Sequence, residues 1–215
     1  MNTCYIFGSV EVDKFKFNID KTDIVIAADA GMKNTEKFGL NADYIVGDFD
    51  SLNYTPTGNN IIKHPVKKNE TDLILAIDIG FEKGYKNFVI AGCVGGRYDH
   101  TFASIQSAAY VTEKGGNAVL INDGTYLTII EDTSISFPDD CKGIISVFSY
   151  TENAFGVSEK GLLYEIENKD LTQNFPLGVS NEFIGKESII SVKNGKLLVI
   201  WQTETGTYKI GGQNE

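Results

Sequence analysis

Cysteine is scarce and unpaired in this sequence. Cys4, Cys93 and Cys141 stand far apart, and no CxxC pair occurs. An odd, scattered set excludes a disulfide framework. With only two histidines, neither near a cysteine pair, it also excludes a zinc site. Free thiols in a reducing cytoplasm are the expectation. Positive charge is also short, with 19 Lys and Arg against 29 Asp and Glu and a formal net charge of −10. That balance argues against a general nucleic-acid binder. If phosphates are handled, bound cations would carry the neutralisation. No apolar run approaches the ~20 residues of a membrane span. The opening MNTCYIFGSV lacks the basic region of a signal peptide, so a soluble cytoplasmic protein is expected. GxxxxGKS is missing, so there is no Walker-type loop.

What is present falls into two textures. From residue 3 to about 121, the runs CYIF, DIVIAA, DYIVG, NIIK, NFVIAG and NAVLI are continuously apolar, as strands buried on both faces are. Between them, residues 70–83 place Leu73, Ile74, Ile77 and Phe81 at helical spacing, with Gly84 as the stop. Residues 99–114 repeat the pattern with Phe102, Ile105, Ala109 and Val111, closed by Gly115 and Gly116. This predicts an α/β unit, a Rossmann-like doubly wound and mostly parallel sheet, over residues 1–122. Beyond it, YLTII, IISVFSY, LLYEIE, SIISV and KLLVIW are short and β-rich, with the turn signals DGT, KNG and SEKG. An antiparallel β-sandwich or barrel over residues 123–215 follows. No Pro/Ser-rich linker joins the two.

In an open α/β sheet, ligands bind outside the carboxyl ends of the strands. Asp29 follows IVIAA; Asp48, Asp50 and Ser51 follow DYIVG; Asp72 opens a helix after KKNET; and the turn GCVGGRYDH follows NFVIA. VGDFDS alone reads as an Asx-rich turn. Three successive strand ends with acidic residues favour a site instead. Mg²⁺ takes hard oxygen ligands, a few carboxylates plus substrate phosphates, and Asp29, Asp48, Asp50 and Asp72 suit it. The glycine turn lets backbone approach phosphate oxygens, and Arg97 offers a planar fork for them. Bland readings stand beside these. Asp72 and Asp99 are placed to cap or stabilise helix starts. His100 orients a turn or moves a proton, His64 is structural, and Asp139–Asp140 form a solvated turn.

The stretches AADAG, VGDFDS, KNETD, GCVGGRYDH and LGVSNEF, in this order from residue 27 to 183, resemble the thiamine pyrophosphokinase (thiamin diphosphokinase) family, and LLVIW adds a fit ending at Trp201. The resemblance implies transfer of a pyrophosphoryl group from ATP to the hydroxyl of thiamine, giving thiamine diphosphate and AMP, in a homodimer with active sites between subunits. It implies Asp29, Asp48, Asp50 and Asp72 as the Mg²⁺ set. Ser51, Thr71, Gly95, Gly96, Arg97, Asp99 and His100 join Asp29 around the nucleotide. Asp48, Asp50, Asp72 and Arg97 form the catalytic group. Ser180 and Asn181 lie near thiamine, and Trp201 stacks on its ring, although core packing of a strand explains that tryptophan too.

Two departures stand out, Ala30 where the family has a glycine and Asn69 where it commonly has an acid. Other readings remain open: a pyrophosphokinase acting on a pterin alcohol, a thiamine- or nucleotide-binding regulator without turnover, or a purely structural protein. The last leaves the strand-end aspartates unexplained.

Overall fold

The computed structural model describes residues 2–47, 61–63, 71–203 and 208–211. The chain divides into two compact units, Met1–Asp123 and Gly124–Glu215.

Among its described residues the first unit carries six parallel strands: β1 (Thr3–Phe7), β2 (Ile24–Ala28), β3 (Tyr44–Gly47), β4 (Ile61–Lys63), β5 (Asn87–Ala91) and β6 (Asn117–Asn122). Their spatial order is β4–β3–β2–β1–β5–β6. The central β1 registers Ile6 against Ile26 of β2 on one side and Ile90 of β5 on the other. The chain therefore winds outward from β1 through β2, β3 and β4, then returns to β5 and winds the other way. The crevice between β1 and β5 is the point at which the strand order reverses, where such sheets bind ligands. The apolar runs form these strands because both faces are covered: Ile6, Phe7, Ile26, Ile90 and Leu120 are fully buried.

Among the described residues the unit also has three α-helices: α1 (Met32–Lys37), α2 (Asp72–Glu82) and α3 (Tyr98–Glu113). The expected starts and stops of α2 and α3 agree within the usual fraying of helix ends. Gly84 and Gly115 end the two helices at φ 88° and 73°, in the left-handed region that glycine enters without a Cβ penalty. The apolar stripe expected for α3 needs correction, because Phe102 is exposed. The buried face is Ser104, Ser107, Ala108, Ala109 and Val111. Small side chains there let the helix approach its neighbours closely, and a phenylalanine could not.

The second unit contains two antiparallel sheets. One has the order β12 (Gly178–Glu182), β9 (Ile144–Ser149), β14 (Lys196–Gln202), β7 (Thr125–Glu131). The other runs β11 (Ile166–Thr172), β10 (Asn153–Lys160), β13 (Ser188–Ser191), β8 (Ser134–Phe137), β15 (Lys209–Ile210). They face each other across an aromatic core. Trp201 on β14 stacks on Tyr126 with centroids 5.4 Å apart and meets Phe137 of β8 edge-on at 5.3 Å. Phe137 in turn contacts Phe183 at 5.1 Å. LLYEIE is not one strand, since β11 begins only at Ile166. Asp139 and Asp140 lie in an exposed turn, as the sequence suggests.

Candidate active site

A cavity of about 340 Å³ opens at the β1/β5 crevice of the first unit. Gly8, Ser9 and Val10 leave β1 along one wall, and Gly92 and Cys93 leave β5 beside them. Asp29, just past the end of β2, and Thr71 and Asp72, at the start of α2, also line it, as does His100 from the first turn of α3. Four sequence-predicted site residues thus meet on one cavity.

Close backbone approach shapes this wall. Gly92 has φ 70°, and a methyl on it would come within 2.5 Å of the Val10 carbonyl oxygen and 2.9 Å of that of Gly8. A methyl on Gly8 would collide with Cys93 Sγ. The buried Asn34 of α1 fastens the loop after β1. Its Nδ2 donates to the carbonyls of Gly8 and Val10, each at 2.8 Å, and its Oδ1 accepts from Val12 N–H at 3.1 Å. Burial pushes the Cys93 thiol up to about 12, which favours its protonated form.

Asp29 sits at φ 51°, an uncommon conformation for a residue other than glycine. Gly47, at the end of β3, approaches it so closely that a Cβ would stand 3.1 Å from the Asp29 Cα. Thr71 caps α2, its hydroxyl accepting from Ile74 N–H at 3.3 Å, which leaves Asp72 in the first turn beside the positive end of the helix. Hard oxygen donors on a cavity at strand ends fit a magnesium ion in kind. Asp48, Asp50 and Ser51 lie outside the described residues. Among the described residues, no three metal-donor side chains converge.

The turn after β5 is built as a cradle. Gly95, at φ 92°, donates its N–H to Thr101 Oγ1 at 3.2 Å, and Thr101 Oγ1 donates on to the Arg97 carbonyl at 3.1 Å. Ser104 Oγ donates to the Cys93 carbonyl at 2.7 Å, and Asn122 Nδ2 to that of Val94 at 3.1 Å. Gly96 follows with Val10 against it. Arg97 and Asp99 do not line the cavity. The guanidinium binds the Asp99 carboxylate through Nε at 3.1 Å and Nη2 at 2.5 Å, with both side chains largely exposed. That pairing holds the Asp99 carboxyl below its ordinary range. Asp99 thus sits in the first turn of α3 and is engaged by arginine, while the cap position itself is Arg97.

In the second unit, a smaller cavity of about 200 Å³ is lined by Tyr164, Asn181 and Val179 among others. Asn181 is buried and saturated. Its Nδ2 donates to the Tyr164 carbonyl at 2.7 Å and to Glu159 Oε2 at 3.0 Å, while Oδ1 accepts from Tyr164 and Glu182 N–H, both at 3.0 Å. These four bonds fix the amide against those neighbours. Ser180 is exposed at φ 60°, its N–H donating to Ser146 Oγ at 3.0 Å. Trp201 requires correction: it is 0% exposed, enclosed by Tyr126, Phe137 and Tyr208, and no ring could stack on it without opening the core. The exposed aromatic on this cavity is Tyr164, which sequence reasoning missed. Within LLYEIE it reads as an ordinary strand aromatic, so the sequence alone carried no signal for its exposure.

Comparison with known proteins agrees with this division. The family model described as the thiamin pyrophosphokinase catalytic domain matches residues 15–120, and the vitamin B1 binding domain model matches residues 132–198. A thiamine pyrophosphokinase of Bacillus subtilis is 26% identical over 193 residues, covering 86% of each chain. Thiamin pyrophosphokinase 1 of Caenorhabditis elegans is 24% identical over 179 residues, 77% of this chain and 72% of its own. The crystal structure of the Bacillus subtilis enzyme superposes with a TM-score of 0.82, covering 95% of this chain and 100% of that one at 23% identity. With both domain models matched in order along the chain, the protein belongs to the thiamin pyrophosphokinase family.

Proposed function

We infer that this chain is an ATP-dependent diphosphotransferase that moves the pyrophosphoryl group of ATP to the hydroxyl of thiamine, releasing AMP. The observation that carries this reading is the pair of matched domains, with acidic strand-end residues lining a cavity at the strand-order reversal of the first. The thiamine hydroxyl oxygen attacks the β-phosphorus. The bond from that phosphorus to the oxygen bridging it to the α-phosphorus breaks, and AMP leaves. The hydroxyl proton passes to a phosphate oxygen or water.

Residues 1–122 bind the nucleotide, and residues 123–215 bind thiamine and form the dimer contact. Asp29, Asp48, Asp50 and Asp72 hold Mg²⁺. The ion when bound neutralises phosphate oxygens and makes the β-phosphorus a better electrophile. The backbone of Gly95 and Gly96 admits phosphate oxygens close to the chain. Arg97 exchanges Asp99 for phosphate, a weak loss because an exposed ion pair is already well solvated. Thr71 fixes the start of α2, which sets the Asp72 carboxylate. His100 lines the cavity and orients the nucleotide by hydrogen bonding. Tyr164 offers its face to the thiazolium cation. Ser180 contributes a hydroxyl from β12. Positioning and charge stabilisation supply most of the acceleration, as in phosphoryl transfer generally. The three free cysteines suit a cytoplasmic site of action.

AMP release tests the reading. Purified protein with MgATP should release AMP only when thiamine is added. Binding of both ligands without AMP would identify a regulator instead, and AMP release that depends on a pterin alcohol would identify another acceptor.

A further inference from the structure

Glu159 lies on β10 with its side chain wholly buried. One carboxyl oxygen, Oε2, accepts from Asn181 at 3.0 Å. The other, Oε1, has no hydrogen-bond partner among the described residues. A buried polar atom left unpaired costs free energy, and an apolar side chain would fill the same space without that cost. The same residue lines the cavity of about 200 Å³, together with Tyr164, Lys169, Gly178 and Val179. Gly178 has to be bare at this point: a methyl there would stand 3.0 Å from Oε1 and 2.5 Å from the Val147 carbonyl oxygen. Asn181, fully bonded, has nothing left for a ligand and serves to hold the carboxyl still. Among the described residues, Oε1 is the buried polar atom of this wall that has no partner, and a molecule in the cavity would supply one.

We propose that Glu159 is a substrate-recognition residue whose Oε1 accepts a hydrogen bond from the exocyclic amino group of the aminopyrimidine ring of thiamine, seated in this cavity. The assignment rests on the pyrophosphokinase reading and adds to it the residue that selects the ring. The size fits: sites that enclose drug-sized molecules measure roughly 300–1,000 Å³, so this one takes a single ring rather than the whole vitamin. The chemistry fits as well. An ionised carboxylate only accepts and an amino group donates, while the positive charge of the ligand favours ionisation. An analogue carrying a 4-oxo group in place of the amino group would set two acceptors against each other.

The test compares thiamine with that 4-oxo analogue in the full-length protein, assayed at about pH 8 so that the carboxyl is ionised. In Glu159→Gln, the amide oxygen takes the Asn181 N–H and the amide NH₂ faces the cavity as a donor, which suits the oxo group. The wild-type protein should prefer thiamine in kcat/KM by at least about tenfold, and Glu159→Gln should shrink that preference at least about tenfold, chiefly through KM for the acceptor, with KM for MgATP unchanged. A wild-type protein that uses thiamine but does not discriminate, or a variant with an unaltered ratio, overturns the assignment alone. A wild-type protein that turns over neither acceptor overturns the pyrophosphokinase reading, and the assignment with it. The wild-type comparison needs no variant, so a poorly folding Glu159→Gln would not shelter the proposal.

Discussion

Removing the Asn34 side chain should loosen the nucleotide cavity from behind. Asn34 supports the cavity through the loop after β1, which it ties down with three hydrogen bonds. Asn34→Ala deletes all three and leaves the Val12 N–H and two carbonyls to find new partners. Three net bonds at about 0.5–1.5 kcal/mol each, raised where a buried group stays unpaired, give a loss of about 2–5 kcal/mol. That is a large share of the roughly 5–15 kcal/mol that holds a domain folded. With a slope of about 2 kcal/mol per molar urea, the midpoint of the transition of the first unit should fall by about 1–2.5 M. Asn34→Asp keeps the acceptor for Val12 but turns a charge toward two carbonyls, so it should lose at least as much. In steady-state assays at a temperature where the variant is folded, KM for MgATP should rise several-fold while KM for thiamine holds. A midpoint within about 0.3 M of wild type and an unchanged KM would show that the loop needs no such fastening.

Three further outcomes follow from the same geometry. Tyr164→Ala should raise KM for thiamine with stability within about 0.5 kcal/mol of wild type, because the ring is already 66% exposed; equal KM values would remove it from the site. Trp201→Ala should cost about 3–5 kcal/mol in urea unfolding through the cavity it leaves between the sheets, and a stable variant that had lost only thiamine affinity would restore Trp201 as a binding residue. Glu159 should make stability depend on pH. Burial raises its carboxyl from 4.5 to about 7, so the folded state holds the proton more tightly than the unfolded chain. The destabilisation is absent below the unfolded value, grows as pH rises between the two, and is complete above about 7. Glu159→Gln should therefore match wild type near pH 4 and exceed it by about 3 kcal/mol near pH 8, since each tenfold gain in proton affinity on folding is worth about 1.4 kcal/mol; parallel stability curves would refute this.

The parts of the fold legible in the sequence are those where one local rule suffices. Runs such as IVIAA and NFVIA can only be strands covered on both faces, and Gly84 and Gly115 mark helix ends because a left-handed residue is needed there. That Asp29, Asp72 and His100 would come to one cavity was legible because strand ends of a doubly wound sheet converge. What escaped depends on tertiary neighbours. Helix α1, MKNTEK, has no apolar period, and its Asn34 is meaningful only through the loop that it binds. Strand β10 was not among the apolar runs, and its end was read as the turn signal SEKG, because its buried positions include Glu159, whose Oε2 is bonded by Asn181 of β12. Trp201 was misplaced because an aromatic on a strand suits a core and a ligand equally, and only the aromatic cluster around it decides.

Whether the β-phosphorus is the atom attacked can be read by separating the nucleotides and thiamine esters formed from thiamine, ATP and Mg²⁺. Pyrophosphoryl transfer predicts AMP and thiamine diphosphate in equal amounts. ADP with thiamine monophosphate, which would mean attack at the γ-phosphorus, would contradict it.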